Sequence, residues 1–193
     1  MKKIFTVLLM LAVFSNVSAQ FNEGEWRMSA GLNAINDLDS QSPFNSPGDW
    51  IFNSIPLAVG LEYGIDGDFA VEQSFTFNKF NDDDIDLVTN RLERKFYYFS
   101  ADTSLKYNFG QLFLPRRNRL ELTANAGVGF YHVKETTMTF NVGGGALWWL
   151  TDDKNFGLRA SALGKFGKKE DSNEFINGNK HFQWNLQAVF VLN

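Results

Sequence analysis

A chain of 193 residues with 44% hydrophobic residues and a formal net charge of −4 has room for one domain and the wrong sign for a nucleic-acid binder. It holds no cysteine, which excludes disulfide staples, thiolate zinc sites and lipid attachment at an N-terminal cysteine. Twenty Phe and 16 Gly against only 4 Pro fit an all-β composition.

Residues 1–19 have the layout of a secretory signal peptide. Lys2 and Lys3 form a basic start, Ile4 to Phe14 an apolar run, and Val17-Ser18-Ala19 a small-residue cleavage site. The apolar run is far shorter than the ~20 residues a spanning helix needs, so removal after Ala19 is expected. The two lysines leave with it, and the 16 remaining basic residues face 22 acidic ones, a net charge of −6. The rest, residues 20–193, is expected to be a single barrel domain.

Period-2 alternation recurs in eight segments. They run Trp26 to Ala34, Ile55 to Gly64, Phe69 to Asn78, Tyr97 to Phe109, Leu120 to Tyr131, Asn141 to Leu150, Phe156 to Phe166 and Phe182 to Leu192. Eight is an even, closable number, and no long apolar run follows Phe14, so a spanning chain has to be a closed barrel. The predicted class is all-β, an eight-stranded antiparallel up-and-down transmembrane β-barrel. Connectors roughly alternate long and short, which predicts short turns and both termini at the periplasmic side and long loops outside. Gly110 to Arg119 is longer, and His132 to Phe140 shorter, than that scheme asks.

One face of each segment is apolar, as in Trp26, Met28, Ala30 and Leu32 or Ile55, Leu57, Val59, Leu61 and Tyr63, and is assigned to lipid. The opposite face carries small polar residues such as Ser29, Asn33, Ser74, Thr76, Thr123 and Asn125. Among them are four basic residues, Arg27, Lys106, Arg159 and Lys165, and four acidic ones, Glu62, Glu72, Asp102 and Glu121. A balanced set suits a narrow lumen filled by paired side chains, because an unpaired buried charge costs far more than a paired one. Ordinary solvated charges on a soluble sheet are the competing reading.

From Asn141 to Phe166 two segments of about nine residues flank Thr151-Asp152-Asp153-Lys154-Asn155, a turn-forming stretch. Trp148 and Trp149 beside the turn are expected in an interfacial aromatic girdle. The small residues Gly144, Ala146, Ala160, Ala162 and Gly164 make this the weakest lipid face. Two readings follow: a bulge at Gly143-Gly144-Gly145 that shifts the register, or a flat contact surface for a second subunit.

Here the chain resembles the small outer-membrane barrels of the outer membrane protein A type. The matching residues are Asn141-Val142-Gly143-Gly144-Gly145, Trp148-Trp149 with Leu150-Thr151-Asp152-Asp153, Gly157-Leu158 and Lys165-Phe166. The resemblance implies a porin-like envelope protein in the bacterial outer membrane, inserted by the barrel-assembly machinery and bathed in outer-membrane lipid. Full-length relatives add a peptidoglycan-binding domain after the barrel; here the eighth segment is the last, so cell-wall anchoring is expected to need another protein. Val191-Leu192-Asn193 replaces the terminal aromatic residue of many assembly signals, while Phe182, Trp184 and Phe190 keep the alternation.

No enzymatic motif stands out, no cofactor is expected, and no metal site is assigned. His132 and His181 are expected as solvated residues at the external rim; Ser172 with Glu135 or Glu174 would be the partners of a hydrolase reading. Asn81-Asp82-Asp83-Asp84-Ile85-Asp86 could offer oxygens to calcium but lacks the EF-hand pattern. Arg91 to Lys95 and Arg116, Arg117 and Arg119 are expected to be solvated, the latter three near the periplasmic phosphates. The predicted function is a stand-alone, monomeric, structural or surface-interaction protein of the cell envelope with an unidentified surface ligand. A narrow low-conductance pore is the first alternative. A secreted lipocalin-like carrier of a small hydrophobic ligand, suggested by Gly24-Glu25-Trp26, is the second.

Overall fold

The computed structural model describes residues 23–36, 50–51, 56–80, 96–114, 119–133, 136–167 and 180–192. The signal segment, Ile55, the acidic run 81–86, the basic run 91–95, Arg116, Arg117, Glu135, Ser172 and Glu174 lie outside them.

Eight long strands are joined in sequence into one antiparallel sheet, with a two-residue strand at its margin. They are β1 (Trp26–Asn36), β2 (Trp50–Ile51), β3 (Leu57–Gly64), β4 (Phe69–Phe80), β5 (Phe96–Asn108), β6 (Leu120–His132), β7 (Thr136–Trp149), β8 (Phe156–Gly167) and β9 (Lys180–Leu192). The sheet closes because β1 pairs with β9 in an unbroken register from Trp26↔Leu192 to Ile35↔Gln183. Every one of the eight predicted segments is a strand, and β2, which pairs with Ile35 and Asn36, is additional. Both ends of the described chain and the turns after β3, β5 and β7 lie at one end of the barrel, the terminal end. The other is the loop end.

The loop-end strands are longer than alternation alone suggested. β7 starts at Thr136 rather than Asn141, because Thr136-Thr137-Met138-Thr139-Phe140 alternates and threonine suits the pleated surface. The expected loop between β6 and β7 therefore shrinks to residues 133–135. At the terminal end the connection after β5 folds into a short 3-10 turn at Gly110–Leu112.

The bulge at Gly143 to Gly145 is absent. Ala126 faces Val142 and Leu122 faces Ala146, four residues apart on both strands, and the β7–β8 ladder is equally continuous. Here the glycines serve close approach rather than a phase shift. A Cβ at Gly145 would stand 2.8 Å from the Ala160 carbonyl oxygen.

The turn after β7 is held by side chains. The Thr151 hydroxyl accepts from the backbone N–H groups of Asn155 (3.1 Å) and Phe156 (3.2 Å), and Asp153 accepts from the Asn155 backbone N–H (3.3 Å) and side-chain amide (2.7 Å). The hydrogen bonds from Thr151 and Asn155 hold the exposed Asp153 carboxyl below its usual range. Lys154 occupies the left-handed region with φ of 56°.

The wall has two chemically opposite faces. Outward-facing Met28, Leu61, Phe77, Leu105, Val128, Phe140, Leu158, Leu186 and Phe190 are all exposed, while the buried residues include Arg27, Glu62, Asp102, Lys106, Glu121, Arg159 and Lys165. An apolar exterior around a polar interior is the reverse of a soluble carrier, and it overturns the lipocalin reading.

Candidate functional site

Strand alternation sends every second side chain inward, and in a barrel of eight strands those side chains meet across the lumen. All eight predicted charges do so. At the terminal end, Arg27 from β1 reaches Glu121 on β6 (3.0 Å) and Glu62 on β3 (3.6 Å). Lys106 from β5 lies 2.5 Å from Glu62 and 3.3 Å from Glu72 on β4, and Arg159 from β8 lies 2.9 Å and 2.6 Å from the same two carboxylates. Glu62 is thus shared by three cations.

Two members of this group differ from expectation. Glu25, just before β1, turns under the barrel and pairs with Arg27 at 2.5 Å, so the charges at this end comprise four acids and three bases. It escaped the sequence reading because it precedes the first alternating segment. Trp149 does not belong to an interfacial girdle. Trp148 is half exposed on the outer wall, but consecutive strand residues take opposite faces, and Trp149 is fully buried inside. Its indole N–H donates to Glu121 at 2.6 Å, and the Arg27 guanidinium sits 5.1 Å from its ring centre. Leu147 and Val189, also inward, pack against it, so the terminal end is closed by ion pairs with an apolar cap.

The remaining two charges sit nearer the loop end. Lys165 on β8 donates to Asp102 (2.6 Å) and to the Ser100 hydroxyl (2.7 Å), both on β5, and the Asn141 side-chain amide donates to the second Asp102 oxygen at 2.8 Å. Above them is an aromatic layer that the expected small polar lumen did not include. Tyr98 and Tyr131 stack with ring centres 5.8 Å apart, the His181 ring stands edge-on to both, and Ile35 completes the cluster. The Tyr98 hydroxyl and His181 Nε2 are hydrogen-bonded at 2.8 Å.

His181 is therefore a fully buried lumenal residue and not a solvated rim histidine. Its position follows from the phase of β9, in which Phe182, Trp184 and Leu186 face out. His132 is exposed on the outer wall and bonds the Thr136 hydroxyl at 3.0 Å. The two rings stand on opposite faces of the wall, which leaves no joint catalytic arrangement.

Between the two closures lies a cavity of about 40 Å³, lined mainly by polar residues including Ser74, Thr76, Thr123, Asn125, Ser161 and Gln183. That volume holds about three waters at ~10–15 Å³ each. Glycines make room for the crossing side chains: a Cβ at Gly60 would stand 2.7 Å from the Ser29 hydroxyl and 3.0 Å from Glu72 Oε1, and one at Gly129 would collide with Asp102. Outside the lumen, Arg119 pairs with Asp152 across the terminal-end turns.

No protein-family model matches the chain, and no curated protein matches it. Solved structures do. Ail, the attachment invasion locus protein of Yersinia pestis, superposes with a TM-score of 0.55 at 16% identity, over 89% of this chain and 100% of Ail. The N-terminal β-barrel domain of OprF from Pseudomonas aeruginosa gives 0.55 at 14%, over 88% and 98%. The outer membrane protein OprG from the same organism gives 0.58 at 10%, over 91% and 100%. Identities this low establish a shared fold, that of the small eight-stranded outer-membrane barrels.

Proposed function

We propose, from a fold shared with the small eight-stranded outer-membrane barrels, that this chain works in the bacterial outer membrane as a structural or surface-interaction protein whose lumen is closed. The observation that carries the reading is the set of ion pairs joining β1, β3, β4, β5, β6 and β8 across the terminal-end lumen. Charges so paired resist separation, because each cation that loses its partner is left buried and uncompensated. A solute would have to displace the whole set, so the contacts that matter are assigned to the loops.

In this reading residues 1–19 act as the secretory signal, the barrel-assembly machinery inserts residues 20–193 as a monomer, the terminal end faces the periplasm and the loops face outward. Ail has been solved in complex with the heparin analogue sucrose octasulfate, a precedent for ligand binding on this fold. The test is twofold. A protease site placed in residues 168–179 is expected to be cut on intact cells, and the purified barrel in a planar bilayer is expected to give no large, stable conductance steps. Sustained steps would favour the second reading, a narrow pore, for which the polar cavity is the supporting observation.

A further inference from the structure

We propose that the loop-end closure is an acid-sensitive gate to the polar cavity, held shut by uncharged His181 and released when that ring gains a proton. It concerns access from one end and stands apart from whatever the loops bind.

Three features of the site point to it. First, His181 is a keystone of the layer: Tyr98 and Tyr131 both pack edge-on to its ring, and Tyr98 is bonded to Nε2. Second, its Nδ1 is buried with no hydrogen-bond partner among the described residues, so a proton added there finds no acceptor in the closed lumen. Third, Lys165 is its direct cross-strand neighbour on β8. Protonation sets a second cation beside an ammonium that already uses the nearby carboxylate, Asp102.

Among the described residues of the surrounding strands, Asp102 is the one carboxylate near this layer, and Lys165 already engages it. Among the described residues facing the lumen here, β5 presents Tyr98, Ser100 and Asp102, β6 presents Tyr131, and β8 presents Lys165. β1, β4 and β7 present Ile35, Asn78 and Asn141, which are uncharged. Whichever tautomer is present in the neutral ring, the imidazolium carries donors on both nitrogens, so Tyr98 can only accept from it.

The direction of the effect follows from linkage. With the layer opened and hydrated, His181 is an ordinary imidazole that charges near pH ~6.5, whereas in the closed layer Lys165 alongside and an already engaged Asp102 disfavour the charged ring. Acid therefore favours the open layer. Between pH 7.5 and pH 5.0 the open-to-closed ratio rises up to about thirtyfold, the limit reached when the closed state stays neutral.

The absence of cysteine makes the test direct. Ser161 lines the cavity and belongs to neither closure, so Ser161→Cys is a reporter of access. The full barrel is reconstituted in detergent and treated with a small, positively charged methanethiosulfonate. Its rate at each pH is divided by that of free cysteine to remove the thiolate effect. The expected result is a normalised rate tens of times higher at pH 5.0 than at pH 7.5, and a flat profile when His181→Gln or His181→Asn is added. Two neutral variants guard against one failing to fold, and heat-shifted gel migration at both pH values verifies each barrel. A pH-independent rate with His181 present would overturn the proposal, as would an acid response that survives in either folded variant.

Discussion

Glu62 is the residue on which the terminal-end closure turns, since Lys106, Arg159 and Arg27 all approach it. Replacing it by Gln leaves three cations around a neutral amide, and a loss of about 3–5 kcal/mol is expected, of the size seen when one partner of a buried pair is removed. Urea titration in detergent, followed by gel mobility of the folded form, measures it. Trp149→Phe keeps the apolar cap but removes the donor to Glu121, for an expected loss of about 1.5–3 kcal/mol in the same titration. Trp148→Phe, on the outer wall, is expected within ~0.5 kcal/mol of the parent. That contrast separates two neighbours that composition alone treats as a pair.

The hairpin of β7 and β8 shows what the elements owe to sequence. Its turn was legible from Thr151 to Asn155, and Thr151 and Asp153 make the turn's side-chain hydrogen bonds. The glycine run misled because glycine permits both a bulge and a close approach, and only the partner strands decide between them. The equal spacing of Leu122 and Ala126 against Ala146 and Val142 settled it. In this cysteine-free chain, cysteines at 126 and 142 and, separately, at 122 and 146 are both expected to cross-link on oxidation; a bulge would align only one pair. Lys154 in its left-handed conformation is a local cost, and Lys154→Gly is expected to raise stability by about 1 kcal/mol in the urea titration. The aromatic layer was readable too: Tyr98 lies between outward Tyr97 and Phe99, Tyr131 follows outward Phe130, and His181 precedes outward Phe182. Alternation assigns all three inward, but the expectation of small polar residues in the lumen obscured it.

For the whole molecule, the eight-segment count and the two faces were legible because alternation is the signal that a two-faced wall leaves in a sequence. What alternation does not carry is distance across the lumen. It placed eight charges on one face, but that Glu62 serves three cations while Lys165 and Asp102 stand apart depends on the stagger of the strands. The exterior makes its own prediction. Leu186 is more than half exposed on the outer wall, and Leu186→Arg is expected to cost about 2–4 kcal/mol in lipid vesicles if it lies near the midplane. A negligible cost in vesicles would argue against a lipid-facing wall.

The pairing of Trp26 with Leu192 carries a consequence for how the protein is made. Neighbouring hairpins can form from local contacts, but the seam that turns a sheet into a barrel joins residues from opposite ends of the chain. Such a contact pays the full loop-closure entropy and comes late. Until then β1 and β9 each expose an unpaired edge, the hazard that a closed barrel otherwise removes. Truncation within β9 is therefore expected to do more than shorten one strand: it leaves one edge of β1 unpaired and turns a closed sheet into one prone to edge-to-edge association.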